Sequence, residues 1–295
     1  MLLQLTLLLL LQTLRIAVPY LFAASGGVLA ERAGIVSLTL EGFMLTGAFC
    51  ATLGSFYFGD PWAGVAMGVL GGAAFGALHA VATIRFKADQ IVSAVAINLM
   101  VVGMTRFFLR LAFDSSSNSP RVAGFGSDGS AGMLSTFTNP LIWLGVLVMP
   151  VLAWVIGRTR FGLRVRAVGE KPEAATTLGV SVNRIRYGAV IASGALAALG
   201  GVYLALDQHQ FTDQMTAGRG FIALAAVIFG RWTPLRAGIA CLLFAFAEAL
   251  QIQVQGAGVL PSQFVSMIPY VLTLVALAGV VGRAVPPAAL GRAEG

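Results

Sequence analysis

Charged side chains are scarce in this sequence. Only 11% of its 295 residues are Asp, Glu, Lys or Arg, whereas a soluble domain carries about 25%. So little charge cannot clothe a water-facing surface, which excludes a cytosolic globular enzyme. Disorder is excluded as well: disordered chains are poor in apolar residues, and here those make up 58%. Cysteine and histidine are almost absent. Cys50 and Cys241 each stand alone in an apolar stretch, and His79 and His209 are equally isolated. Nothing is spaced as a metal ligand set, so the thiols read as small buried apolar groups, and no metal or other cofactor is expected. A phosphate-binding loop is missing too. The nearest stretch, Gly169-Glu170-Lys171-Pro172, lacks both the glycine-rich turn and the following hydroxyl. GxSxG and HExxH are also missing. The chain brings neither an ATP-driven motor nor a catalytic constellation, and it reads as a protein other than an enzyme.

What is abundant is apolar length. Mean hydropathy is +0.87, and at about 20 residues per span the chain has room for about eight to ten crossings within one transmembrane domain, residues 1–295. The start, 1–14, lacks a basic leader region and a clear small-residue cleavage site, so it reads as retained. It continues through Arg15 and Pro19 and is ended by Glu31 and Arg32. Further apolar runs cover 35–58, 62–84, 91–113, 140–156, 187–206, 220–230, 235–254 and 264–281. The run 220–230 is too short to cross alone. It either recruits 211–219 or forms a re-entrant half-helix. The expectation is an all-α polytopic membrane protein with about nine transmembrane helices.

Arg158, Arg160, Arg164, Arg166, Lys171, Arg184 and Arg186 crowd the connection 158–186, which should therefore be cytoplasmic. Alternation then places 31–32, 85–89, 231–236 and the tail after 282 on the same side. Together these hold fourteen of the nineteen basic residues, leaving Arg15, Arg106, Arg110, Arg121 and Arg219 for the outer side. The N-terminus is expected outside and the C-terminus inside. The net charge of +7 thus reports orientation in a lipid bilayer, not an affinity for nucleic acid.

Polar groups inside apolar runs are costly, and they mark either a solute path or interhelical hydrogen bonds. Glu41, Asn98 and Glu248 lie nine, nine and twelve residues from Arg32, Asp89 and Arg236. At 1.5 Å per residue that is roughly 13–18 Å, near mid-bilayer. Glu248, Gln251 and Gln255 share one helix face. The stretch GIVSLTLEGFMLTGAF holds Gly42 and Gly47 beside Ser37, Thr39, Glu41 and Phe43, and GRGFIALAAVIFGRWTP holds Gly220 and Gly230. Such glycine-interrupted segments point to discontinuous gate helices or to close helix packing. Ser37, Thr39, Glu41, Phe43, Asn98, Glu248 and Gln251 are therefore the candidate solute-path residues, and Gly42, Gly47, Gly220 and Gly230 the candidate hinges. In the basic loop, Pro172 suits a first helical position, Glu173 its positive end, Ala174 and Ala175 its body, and Gly179 its stop. A short helix at the inner face offers a surface to a cytoplasmic partner. These features leave two readings open: a permease moved by a separate motor, and a stand-alone secondary transporter or channel using Glu41 and Glu248.

ERAGIVSLTLEGFMLTGAF (31–49), DQIVSAVAINL (89–99), FGLRVRAVGEKPEAATTLGVSVNRIRYGAVIASGALAALGG (161–201), GRGFIALAAVIFGRWTP (218–234) and PYVLTLVALAG (269–279) resemble, in order, the blocks of bacterial ABC importer permeases of the simple-sugar/nucleoside family, also grouped as branched-chain amino acid/ribose-type. The first block most resembles the nucleoside permeases, although Ser37-Leu38-Thr39 stands where many relatives have Asn-Ile-Gly. The resemblance covers about residues 15 to 282 and implies halves related by an inverted repeat. It also implies residence in the bacterial inner membrane and half of a solute pathway paired with a second, related permease chain. An extracytoplasmic substrate-binding lipoprotein would supply the solute. A cytoplasmic ATPase subunit would dock on the short helix at Glu170, Pro172, Glu173, Ala174, Ala175 and Gly179.

Overall fold

The computed structural model describes residues 2–125, 138–256, 271 and 285–292. Helix α1, Leu2–Arg32, runs through Pro19 without a break. It ends where Gly34 takes a left-handed backbone, φ +92°, a conformation open to glycine at little steric cost. Residues 35–39 are not helical, and α2 covers Leu40–Phe58. The expected helix 35–58 thus loses its start. Ser37 turns both its N–H and its hydroxyl onto the Glu31 carboxylate, which diverts the backbone from helical pairing. Helix α3, Pro61–Ala80, continues into one π-turn, Val81–Arg85. Then follow α4 (Gln90–Phe113), α5 (Pro140–Arg158), α6 (Arg160–Glu170), α7 (Pro172–Thr177), α8 (Val182–Asp207), α9 (Arg219–Phe229) and α10 (Pro234–Gly256). Their starts have local causes. Asp60, Asp89 and Asn139 accept N–H groups of the first turns of α3, α4 and α5, and Pro61 and Pro140 occupy positions where no N–H is needed. No strand occurs among the described residues, only a single bridge between Asn118 and Thr212.

Among the described residues six helices are long and apolar enough to cross a membrane, and the expected count of about nine is not confirmed. Helix α2 has 19 residues but carries Glu41, Thr46, Thr52 and three glycines, and it is shielded by its neighbours. Helix α9 keeps only 11 residues. The run 264–281 lies outside the described residues, apart from Val271. A correction concerns 158–186: besides the expected short helix, here α7, it holds helix α6. Val165 and Val168 of α6 are buried, and the nearby Arg164 and Arg166 hid this apolar side in the sequence.

The two ends of the bundle sort as the charges require. At one end Arg32 donates to the Trp232 carbonyl, Arg186 to the Ala33 carbonyl, and Gln90 accepts from Val36 N–H. There the tail also reaches Gly169 and Gly34 through Ala289 and Gly291 N–H. All five expected inner segments therefore meet at this end. At the other end Arg15 pairs with Asp207 and Arg106 with Asp213.

Helices α2, α3 and α8 pack backbone to backbone. Gly64, Gly68, Gly72 and Gly76 recur once per turn of α3, and all are buried. A Cβ at Gly64 would lie 2.7 Å from the Ala51 carbonyl oxygen, and one at Gly76 2.9 Å from that of Val190. One at Gly72 would overlap Ala198 and the Gly194 carbonyl. Lipid gives no hydrophobic drive between helices, so small residues that permit close contact hold them together. Helix α8 is the axis: 72% of its apolar window is buried, against 22% for α4. Gly72→Leu should therefore lower the detergent unfolding midpoint by several degrees or prevent folding, since overpacking costs about 1–3 kcal/mol or more. Gly103→Ala should not lower the midpoint, because nothing lies within 4 Å of its Cβ position and alanine favours a helix interior over glycine.

Candidate functional site

Two helices begin in the interior of the bundle. Helix α9 ends beside Trp232 at the inner end, and at 11 residues it is only about 16 Å long. Its first residues therefore lie about halfway across some 30 Å of hydrocarbon. Residues 208–218 bring the chain down from the outer end to that depth. The run 220–230 has thus recruited the preceding segment, in non-helical form. The start of α2 lies beside it. Each helix start leaves N–H groups without partners, which apolar surroundings do not tolerate.

Side chains from other elements supply the acceptors. Asn98 of α4 serves α2: its Oδ1 accepts Gly42 N–H at 2.9 Å, and its Nδ2 donates to the Leu38 carbonyl at 2.9 Å. Glu41 of α2 serves α9. Its Oε1 accepts from Thr216 Oγ1 (2.6 Å) and Gly218 N–H (2.8 Å), and its Oε2 from Gly220 N–H (2.7 Å). The carboxylate thus sits where the positive ends of two helix dipoles converge. Gly218 is glycine because φ is +82°. Gly220 is glycine because a Cβ there would overlap the Glu41 backbone. The descent to this junction is strained: His209, Gln214 and Ala217 all have positive φ (56°, 55° and 47°), which costs non-glycine residues about 1–3 kcal/mol each.

A second polar layer adjoins the first. Arg219 pairs with Glu248 of α10 at 3.3 Å, their side chains 24% and 26% exposed. Tyr20 of α1 donates to the other Glu248 oxygen. Gln251 follows Glu248 on the same face, one turn along.

A third cluster lies at the inner end. The buried Glu31 carboxylate accepts Ser37 N–H, Ser37 Oγ and the Trp232 indole N–H. Helix α6 lies on this turn, for a Cβ at Gly169 would overlap the Arg32 carbonyl. Helix α7 follows. Ala175 is buried with Val168 and Val182, while Glu170, Glu173, Ala174 and Leu178 are exposed, Leu178 to 83%. Pro172 takes the first helical position, and Gly179 ends the motif at φ +76°.

The candidate path residues thus divide. Glu41 and Asn98 cap helices, and Glu248 and Gln251 share one face of α10. Ser37 belongs to the inner cluster. Thr39 is buried with no partner for its hydroxyl, and Phe43 is buried edge-on to His79. Of the candidate hinges, Gly42 and Gly220 lie at the junction. Gly47 and Gly230 lie away from it, tight against Ala198 and Ala237. Sequence reasoning missed Tyr20, Thr216 and Arg219. Arg219 was counted among outer residues but sits on the first turn of the half-helix. The available signal was the Gly218-Arg219-Gly220 triplet at a helix start.

A family described as the permease component of branched-chain amino acid transport systems matches residues 9–277. The guanosine ABC transporter permease protein NupQ of Bacillus subtilis is 38% identical, over 95% of this chain and 93% of its own. The nucleoside ABC transporter permease protein NupC of Lactococcus lactis is 38% identical, over 92% of each. Among solved structures, an ABC transporter in an inward-facing conformation shares the fold, with a TM-score of 0.53 and 16% identity over 92% of this chain and 85% of that one.

Removing the Glu41 carboxylate should strand three donors. Glu41→Ala should cost at least about 1–3 kcal/mol, the penalty of one orphaned buried donor, read as a lowered thermal midpoint in detergent. Glu173→Ala, on the exposed side of α7, should leave the midpoint where it was.

Proposed function

We propose, since the chain belongs to the family of branched-chain amino acid transport system permease components, that it is the permease subunit of an ATP-binding-cassette importer. It hydrolyses nothing itself. Residues 1–295 act as one transmembrane domain and form half of the solute pathway, and a second, related permease chain forms the other half. Nucleosides are the solute class the relatives favour, with simple sugars, which share the ribose-like hydroxyl pattern, as the second class. An extracytoplasmic binding lipoprotein delivers the solute. Arg219, Glu248 and Gln251 face it, and Ser37, Thr39 and Phe43 meet it only when the lead-in to α2 moves.

The observation that carries this reading is mechanical. Helix α7 and its C-terminal cap present Glu173, Ala174 and Leu178 outward, and the neighbouring α6 rests through Gly169 on the turn that opens the lead-in to α2. A cytoplasmic ATPase subunit docking on the segment Glu170 to Gly179 would push on α6, and through it on residues 33–39 and the junction at Glu41. The loop 158–186 is in this reading the coupling loop. Gly42 and Gly220 lie where the two broken helices meet, and there the pathway opens and closes.

Leu178→Asp should cut uptake and solute-stimulated ATP hydrolysis together by at least about tenfold, the effect of ~1.4 kcal/mol at a docking contact. The measurement uses the chain reconstituted with its ATPase, second permease and binding protein, and a panel of nucleosides and sugars. Unchanged uptake in the variant would remove α7 from the coupling role. Uptake by the chain alone, driven by a pH gradient without ATPase, would overturn the importer reading.

A further inference from the structure

The outer mouth holds a ladder that the coupling scheme leaves unused. Residues 115–125 follow α4 and lie across the segment 208–213 that leads down to α9. Asp213 N–H donates to the Ser117 carbonyl at 2.8 Å, Ser119 N–H to the Phe211 carbonyl at 2.9 Å, and Val122 N–H to the His209 carbonyl at 2.8 Å. Ser119 Oγ accepts Phe211 N–H at 2.9 Å, and Asn118 bridges Thr212. Ser55 of α2 fixes the far part of the strap through the Ala123 carbonyl. Positive φ occurs at His209 within the ladder and at Gln214, Ala217 and Gly218 below it. Below those, Glu41 holds the start of α9. The descending segment is therefore a strained length of chain clamped at both ends, by backbone bonds above and by a carboxylate below.

We propose that this ladder is an outer latch: residues 115–122 must part from 208–213 for solute to enter from outside, and their re-pairing restores the clamp on α9. Elements that move are drawn from the least stable parts of a fold, and a short ladder joining two irregular segments is of that kind, unlike the glycine-packed contacts of α2, α3 and α8. The latch rests on the reading of the chain as an importer permease.

The bonds at 117–213 and 119–211 frame Asn118 and Thr212 as a non-hydrogen-bonded antiparallel pair, in which Cα atoms lie about 4.5 Å apart. That falls within the reach of a disulfide. The test uses the complete transporter in proteoliposomes, with Cys50→Ala and Cys241→Ala as the parent and Asn118→Cys with Thr212→Cys added. The probe is tritiated guanosine with ATP. Oxidation should abolish uptake in the double variant, a reductant should restore it, and the parent should respond to neither. Full uptake with the disulfide formed would overturn the latch while leaving the permease reading intact. A parent without ATP-dependent uptake of guanosine or of any sugar or nucleoside tested would sink the permease reading and the latch with it. If the double variant does not assemble, the single Thr212→Cys protein decides: a hydrophilic maleimide should label it faster during turnover than at rest, and equal rates would overturn the proposal.

Discussion

Unpaired N–H groups have no place in hydrocarbon, and that constraint shapes the centre of this molecule. Two helices start in the middle of the bundle, so two sets of donors appear where water cannot serve them. Asn98 answers one set and Glu41 the other. The result is a chain of dependence. Helix α4 holds α2, α2 holds α9, and α9 through Arg219 reaches α10 and then α1 at Tyr20. No element of this junction can shift far without exposing a donor or an acceptor. Any rearrangement here has to exchange one set of partners for another.

The inner end is organised around a different need. The turn after α1 collects contacts from α6, α8, the 231–233 turn and the tail, and Glu31 ties Ser37 to Trp232 within it. Trp232 and Arg231 both have positive φ, so the turn after α9 is itself tightly wound. The turn before α2 and the turn after α9 therefore share one cluster. A force delivered there acts on both broken helices at once.

Much of the fold was legible because caps and prolines announced the helix starts. Asp60-Pro61, Asp89 and Asn139-Pro140 place three boundaries within a residue or two of the expected runs. The arginine asymmetry likewise announced which segments share an end. Helix α6 is hard to read from sequence because Val165 stands between two arginines and its closest contact is made by a glycine. The polar residues of the site were visible as misfits in apolar runs, but their duties were not. Tyr20 and Glu248 lie 228 positions apart, and no local pattern encodes such a meeting. The same blindness placed Arg219 on the outside: a residue count cannot see that the segment before it dives inward.

The glycine stripe of α3 has a consequence for motion. Helices α2, α3 and α8 meet through glycines, with little side chain between their backbones. Sliding any one along another by a fraction of a turn would drive a carbonyl into a Cβ. The three must travel as a single rigid body, a stator in the machine. Any displacement is left to the pieces around it, the half-helix α9 among them.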